Sequence, residues 1–134
     1  MSNFFKIGVI GLSLLFLSCD KKEEISKPIE EGTYSGTFTV TYSSGKKFGT
    51  TTIKLENGEY ICTSNPDRIP AGGSGNYSVH KNKIIFNDVN FWTADFDWNL
   101  ILSGEYDYTF DGKKLKISAN KNDVGYYEYD LKKQ

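Results

Sequence analysis

The most constraining feature of this sequence is an alternation of apolar and hydroxyl residues with a period of two. Residues 33–42 read TYSGTFTVTY. One face of this segment carries the apolar side chains of Tyr34, Phe38, Val40 and Tyr42. The other face is built of serine and threonine. Because successive side chains of a β-strand point to opposite faces, the segment is predicted to be a strand with one buried face and one face in water.

The same kind of alternation marks further segments along the chain. They are residues 48–56, 59–64, 75–80, 83–87, 98–110, 113–119 and 126–132. Asn57-Gly58 and Asp111-Gly112 lie between neighbouring segments, and both dipeptides are typical of tight β-hairpin turns. Eight strands joined mostly by short turns predict an all-β fold, an antiparallel up-and-down barrel whose closure removes exposed edges. A two-sheet β-sandwich is the alternative.

Composition is consistent with one globular domain. Hydrophobic residues make up 38% of the chain and aromatic residues 15%, which is ample for a core and atypical of a disordered chain. The formal net charge of −1 argues against a nucleic-acid-binding surface, which would be basic. We predict a monomeric barrel domain over residues 32–134, preceded by a charged linker over residues 19–31.

The first residues have the three parts of a secretory signal peptide. Lys6 supplies the positive charge, residues 7–17 form an apolar run, and Ser18 is the small residue before a cleavage point. A transmembrane helix needs about 20 apolar residues, so this run is too short to cross a bilayer. We therefore predict a signal peptide over residues 1–18 that is removed.

The residues around the predicted cleavage point resemble a bacterial lipobox. Residues 16–19 read FLSC, and in a lipobox the cysteine receives a diacylglycerol and becomes the first residue of the mature chain. The resemblance implies that Cys19 is the lipidation site and anchors the protein in a membrane through acyl chains such as palmitate. Residues 20–24, DKKEE, are similar to the surface-export signal of Bacteroidota lipoproteins. That similarity implies an outer-membrane lipoprotein of the cell envelope that faces outwards. The alternatives are a solvated tether without a sorting role and, because Asp20 follows the cysteine, retention at the inner membrane.

Four features of the domain resemble the small lipocalin-like lipoproteins of Bacteroidota. They are GTYSGTF at residues 32–38, LSGEY at residues 102–106, the Asp111-Gly112 hairpin, and the Tyr-x-Leu at residues 129–131. The resemblance covers residues 32 to about 132. It implies an eight-stranded barrel with a possible ligand cavity, and it assigns no functional residues.

The sequence contains no pattern that predicts an enzyme. The only histidine, His80, lies beside Lys81 at a predicted turn on the outer face. Cys62 has no histidine that would act as its base, and the alternation predicts that it is a small buried residue. Residues 72–75, GGSG, lack the lysine and helix of a phosphate-binding loop. We predict a non-enzymatic protein without a cofactor.

Three aspartates are the candidate ligands for a metal ion. Asp88, Asp95 and Asp97 would suit calcium, which prefers carboxylate oxygens. Their spacing matches no EF-hand loop, and two of them would point outwards while Phe96 and Trp98 point inwards. We therefore predict no metal site.

Aromatic residues crowd the connection that precedes residues 98–110. They are Phe91, Trp92, Phe96 and Trp98. One interpretation is a plug in which the rings cover one barrel end, and the other is a binding mouth, because aromatic faces suit sugars and amphipathic ligands. Trp98 begins the inward register of residues 98–110 and is expected in the core. Trp92 lies outside that register and is the better binding candidate.

Many tyrosines are predicted to face the barrel interior or nearly so. They are Tyr34, Tyr42, Tyr60, Tyr77, Tyr106, Tyr108, Tyr127 and Tyr129. Buried hydroxyls need hydrogen-bond partners, so this number predicts a wet or ligand-filled cavity. The predicted ligand-binding residues are Phe91, Trp92, Trp98, Tyr106, Tyr108 and Tyr127.

Two functions follow from these predictions. The first is a membrane-anchored lipoprotein whose barrel binds a small apolar or glycan-like ligand. The alternative is a protein-interaction module, such as a protease inhibitor or an accessory subunit of an outer-membrane complex. A cavity above about 300 Å³ would favour the first function. A filled barrel with exposed rings around residues 91–92 would favour the second.

Overall fold

The structure, a computed structural model, describes residues 26–134. The predicted signal peptide, Cys19 and the export-type signal at residues 20–24 lie outside the described residues. Eight strands form one closed barrel: β1 (Gly32–Tyr42), β2 (Gly45–Glu56), β3 (Glu59–Cys62), β4 (Gly73–His80), β5 (Lys83–Asp88), β6 (Gly104–Phe110), β7 (Lys114–Lys121) and β8 (Gly125–Lys133). Each strand pairs antiparallel with the next, and β8 closes onto β1. The predicted antiparallel up-and-down barrel is confirmed.

Local turn chemistry places the hairpins where the sequence predicts them. Asn57 and Gly58 join β2 to β3 with φ angles of 52° and 76°, the left-handed backbone that a tight hairpin turn of this type requires. Between β6 and β7, the Asp111 carboxylate accepts backbone hydrogen bonds from Lys113 at 2.8 Å and Lys114 at 2.6 Å. Both hairpin predictions are confirmed.

The prediction of one long strand over residues 98–110 is wrong in its first half. Trp98–Leu100 form a single 3₁₀ turn, and β6 begins only at Gly104. Leu100, Ile101 and Leu102 are all buried, which a strand with one wet face cannot achieve for three successive residues. The segment therefore leaves the sheet and folds inwards, where Ile101 forms a parallel bridge with Gly72.

The barrel interior is filled by its own side chains. The largest fully buried side chains of this core are five tyrosines that are at most 1% exposed: Tyr34, Tyr60, Tyr106, Tyr127 and Tyr129. Their rings pack against one another and against phenylalanines mostly at steep angles, as between Tyr106 and Tyr129, whose centroids lie 6.2 Å apart. A ligand-sized cavity would leave accessible surface on the residues that line it. The described core has no such surface.

The alternating strand directions sort the connections into two barrel ends. The entry end contains the incoming chain, the hairpins at residues 57–58, 81–82 and 111–113, and the last residues of β8. The loop end contains the turns at 43–44 and 122–124. It also contains both long connections, residues 63–72 and 89–103. The candidate aromatic residues therefore lie at the end opposite the incoming chain.

Residues 26–31, which the sequence assigns to a linker, pack against the entry end. The backbone N–H of Lys27 donates to the Phe110 carbonyl at 2.8 Å, and the Phe110 N–H donates to the Ser26 hydroxyl at 3.2 Å. The side chain of Ile29 packs on the core. This single apolar residue carries no periodic pattern, so its docking was not visible in the sequence. Among residues 26–134 no helix is both long and apolar enough to span a membrane.

Candidate functional site

The loop end is closed by aliphatic side chains and backbone pairing. Leu100, Ile101 and Leu102 are buried in the core cluster, and their backbone is fixed by two hydrogen bonds. The Ala71 N–H donates to the Leu100 carbonyl at 2.9 Å, and the Leu102 N–H donates to the Gly72 carbonyl at 2.8 Å. The two long connections therefore hold each other. Of the four rings of the aromatic plug that the sequence suggests, Trp92 and Phe96 also pack against the core, whereas Phe91 and Trp98 are exposed.

Asp97 ties the 89–103 connection to the barrel wall. Its Oδ2 accepts hydrogen bonds from the hydroxyls of Tyr42 at 2.7 Å and Tyr127 at 2.6 Å, and its Oδ1 accepts one from the Asn99 N–H at 2.9 Å. Partial burial alone would raise the pKa of Asp97. The hydrogen bonds from Tyr127 and Tyr42 outweigh that effect, so the net pKa is lowered. Burial, and then the charge of Asp97, raise the pKa of both tyrosines.

The two tryptophans exchange the environments that the sequence predicts for them. Trp98 is 56% exposed, and its indole N–H donates to the Thr93 carbonyl at 2.8 Å. The expectation that Trp98 lies in the core is wrong, because residue 98 belongs to the 3₁₀ turn and not to a strand. Trp92 is half-buried against the core, and its indole N–H donates to the Asp88 carboxylate at 2.6 Å. Its ring packs on Phe96 at a centroid distance of 5.9 Å.

An open groove of about 420 Å³ lies between the two long connections. Its lining includes Arg68, Ser74, Asn90, Phe91, Trp92 and Thr93. The Phe91 ring is fully exposed at the rim. The groove therefore combines aromatic faces with amide, hydroxyl and guanidinium groups, which is the composition of sites that bind polar organic ligands.

Arg68 is the only arginine of the chain, and the sequence analysis did not single it out. Its guanidinium lies 4.9 Å from the ring centroid of Phe96 and forms an exposed ion pair with Asp95 at 3.2 Å. Its backbone has a φ of 55°, a left-handed conformation that is uncommon for a residue with a side chain. The sequence signal that could have identified Arg68 as a candidate is its position as the single arginine of the chain, between Pro66 and Pro70.

The structure divides the six predicted ligand-binding residues among separate places. Phe91 and Trp92 line the groove together, and Trp98 is exposed on the same connection. The remaining three, Tyr106, Tyr108 and Tyr127, are buried inside the barrel. These three tyrosines belong to the core and do not reach the groove.

Most of the buried tyrosine hydroxyls have partners within the protein. Tyr60 donates to the Leu102 carbonyl at 2.5 Å and Tyr108 to the Lys81 carbonyl at 3.0 Å. The hydroxyls of Tyr106 and Tyr129 have no hydrogen-bond partner among residues 26–134. Burial raises the pKa of both groups and keeps them neutral. The large number of inward tyrosines is therefore explained mainly by the core, without a ligand inside the barrel.

The three candidate calcium ligands serve separate purposes. The Asp88 carboxylate accepts from the Ser74 N–H at 3.0 Å as well as from Trp92, while Asp95 pairs with Arg68 and Asp97 binds the two tyrosines. Within residues 26–134, no group of three acidic, cysteine or histidine side chains could hold a metal ion.

Cys62 and His80 occupy the environments that the sequence predicts. Cys62 is buried and forms no disulfide in the described chain, and its sulfur lies 3.3 Å from the Thr51 hydroxyl. Burial raises the pKa of its thiol to about 12, which keeps it protonated and unreactive. His80 is exposed at the end of β4. Neither residue contacts a neighbour that would make it catalytic.

Comparison with known proteins gives no family assignment. No protein-family model matches the chain, and neither a curated protein nor a solved structure matches it significantly. The resemblance to lipocalin-like lipoproteins therefore stays an expectation from the sequence. The fold and the loop-end groove are the basis for the functional argument.

Proposed function

We propose that the protein is a membrane-tethered, non-enzymatic binding protein whose recognition surface is the loop-end groove. The observation that carries this proposal is the placement of that groove at the barrel end opposite the incoming chain. An acyl anchor on Cys19 would hold the entry end near the membrane. The groove would then point away from the lipid.

The length of chain between the proposed anchor and the barrel supports this orientation. Residues 20–25 separate Cys19 from Ser26, and a fully extended residue spans at most about 3.6 Å. The tether therefore keeps the entry end within roughly 25 Å of the membrane surface. An outer-membrane location facing outwards, as the DKKEE segment suggests, would expose the groove to the surroundings of the cell.

The composition of the groove favours a glycan-like ligand. The filled interior leaves the outer surface as the place where a small ligand would bind. Phe91 and Trp92 would stack on the apolar face of a sugar ring, while Arg68, Ser74 and Asn90 would donate or accept hydrogen bonds.

A second candidate function is the binding of a protein, such as another subunit of an outer-membrane complex. The observation that favours it is the exposed apolar surface around the groove. Ile61 and Val89 are both exposed, and Ile61 lines the groove that Phe91 borders. Exposed aromatic and aliphatic side chains of this kind are common at protein interfaces.

The test uses two aromatic variants of the full chain. Phe91→Ala removes the ring at the groove, and Tyr126→Ala removes an exposed ring from β8, away from the groove. Both variants are applied to a glycan array and to affinity capture from outer-membrane extract. Glycan binding that is lost only in Phe91→Ala supports the first function, and capture of one defined protein that is lost only in Phe91→Ala supports the second. If the two variants bind glycans and capture proteins to the same extent, the loop-end groove is not the recognition surface.

A further inference from the structure

The outer edge of β2 is left open over half of its length. β2 spans Gly45–Glu56, whereas its neighbour β3 spans only Glu59–Cys62. Their pairing ends at Ile53 opposite Cys62, and beyond it the Thr63 N–H still donates to the Thr52 carbonyl at 2.9 Å. From residue 51 back to residue 45, no strand of the described chain pairs with this edge of β2. The 63–72 connection lies against β2 only around Gly49, where the Ile69 carbonyl and the Asn65 side chain leave no room for a Cβ atom.

The backbone groups that face the open edge follow from the pairing pattern. In an antiparallel pair, alternate residues of a strand bond to the neighbour on one side. Thr52 bonds towards the β3 side, so Thr50, Phe48 and Lys46 direct their N–H and C=O groups the same way. No hydrogen bond from residues 26–134 reaches these backbone groups of the three residues, and all three are exposed. Three donors and three acceptors are therefore available in strand geometry.

The side chains at this edge are basic and aromatic. Phe48 is 65% exposed on the outer face. Neither Lys46 nor Lys47 forms an ion pair with an acidic residue of the described chain. Lysines alone would protect an open edge from aggregation, but an exposed phenylalanine on the same edge favours association. The lysines and the exposed phenylalanine together indicate that this edge binds a particular partner strand and does not aggregate non-specifically.

A polar groove continues the open edge towards the point where β3 leaves β2. It has a volume of about 560 Å³, and its lining includes Thr37, Thr50, Thr52, Thr63, Asn65 and Pro66. A segment that pairs with β2 would pass into this groove. Its side chains would meet hydroxyl and amide groups there.

We propose that the open edge of β2, residues 45–50, binds an extended acidic segment of a partner protein by strand addition. The added strand exchanges backbone hydrogen bonds with Lys46, Phe48 and Thr50. Its carboxylates lie near Lys46 and Lys47, and an apolar side chain packs on Phe48. This site is separate from the groove beside Phe91 and does not depend on a ligand there; only the argument against a second copy rests on the proposed membrane anchor.

A second copy of the chain fits this edge less well than a different protein does. Two copies related by a two-fold axis would pair their β2 strands antiparallel. That arrangement would turn the two entry ends in opposite directions. Both copies would then be unable to direct Cys19 towards the same membrane. The unpaired lysines also favour an acidic segment.

The experiment measures peptide binding to the full chain purified in detergent. The probe is a short capped peptide in which one valine is followed by two glutamates, so that in antiparallel pairing the valine meets Phe48 and the glutamates meet Lys47 and Lys46. The comparison peptide replaces both glutamates with lysine. Affinity is measured by fluorescence anisotropy, and amide hydrogen exchange is followed by NMR. The acidic peptide is expected to bind at least about tenfold more tightly. It is also expected to slow exchange at Lys46, Phe48 and Thr50.

Three variants separate the charge from the backbone contribution. The double change Lys46→Glu with Lys47→Glu should reverse the preference between the peptides, whereas Lys132→Glu at the entry end should not. Thr50→Pro removes an unpaired N–H together with a hydroxyl that lines the polar groove, and should weaken binding several-fold without lowering the melting temperature. Equal affinity for both peptides, or binding without protection of the three amides, would overturn the proposal. Protection of these amides without peptide at high protein concentration would assign the edge to a second copy instead.

Discussion

The hydroxyl of Tyr127 donates a 2.6 Å hydrogen bond to the carboxylate of Asp97, although the two residues are 30 positions apart in the sequence. Tyr127 belongs to β8, and Asp97 precedes the 3₁₀ turn of the 89–103 connection. Tyr42 of β1 donates to the same carboxylate oxygen. One acidic residue therefore fastens the long connection to two neighbouring strands of the barrel.

Replacing this carboxylate should destabilise the protein. Asp97→Asn keeps the shape but weakens the acceptor for both tyrosines, and hydrogen bonds to a charged group contribute about 1.5–3 kcal/mol each. We expect a loss of about 2 kcal/mol in the free energy of unfolding, measured by urea titration. Asp95→Asn is the matched control, because Asp95 makes only exposed contacts, an ion pair with Arg68 and a hydrogen bond from Thr93, whose loss should change stability much less. Equal effects of both changes would contradict this role.

Acid should weaken the same contact. The folded-state pKa of Asp97 is lowered, so its stabilisation is fully present above the unfolded-state pKa of about 3.9 and is lost as the pH falls through the folded value. Urea titrations at descending pH should show that loss in the unchanged protein. Asp97→Asn should lose less stability over the same pH range. Identical pH profiles would show that Asp97 does not contribute.

The two tryptophans should differ in stability in the order that their burial dictates. Trp92→Ala removes a half-buried ring and its hydrogen bond to Asp88, so we expect a cost of about 2–3 kcal/mol, somewhat below the 3–5 kcal/mol of a fully buried ring. Trp98→Ala removes a largely exposed ring and should cost less than about 1 kcal/mol. Thermal melting compares the two variants. A lower melting temperature for Trp98→Ala would place Trp98 in the core after all.

The entry segment should stabilise the barrel without being needed for its fold. A chain that starts at residue 32 lacks Ile29 and the contacts of Ser26 and Lys27 with Phe110. We expect it to give an all-β circular-dichroism spectrum but to unfold with about 1–3 kcal/mol less free energy than a chain that starts at residue 26. Equal stability of the two chains would show that residues 26–31 are only a linker.

Membrane attachment should depend on one of the two cysteines. Cys19→Ala removes the predicted site of acylation, and stable anchoring needs more than one acyl chain, so the variant should leave the membrane fraction. Cys62→Ala should remain in the membrane fraction, because Cys62 is buried in the barrel. Fractionation with detergent-free washing gives the readout. Retention of Cys19→Ala in membranes would refute the lipid anchor.

Features that depend on near neighbours in the chain were predictable from the sequence. The alternation around Tyr34 and the Asn57-Gly58 turn identify strands and a hairpin, because side-chain direction and turn geometry are properties of a few consecutive residues. The burial of Cys62 followed from the same alternation. Closure into a barrel was the preferred prediction and is confirmed, but the same alternating strands also fitted a two-sheet β-sandwich, so the pairing of β8 with β1 was decided by the tertiary structure.

The loop end was decided by contacts between residues that are far apart in the chain. Leu100, Ile101 and Leu102 leave the strand pattern because their apolar side chains are buried at the open end of the barrel, where they complete a close-packed core. This end exists only in the closed barrel, so a single segment of the sequence does not reveal it. The 3₁₀ turn at Trp98–Leu100 also places Trp98 at the surface. It positions Asp97 within hydrogen-bond distance of Tyr42, which is 55 positions away in the sequence. Alternation describes one strand at a time, so it carries no information about how a connection packs across a barrel end.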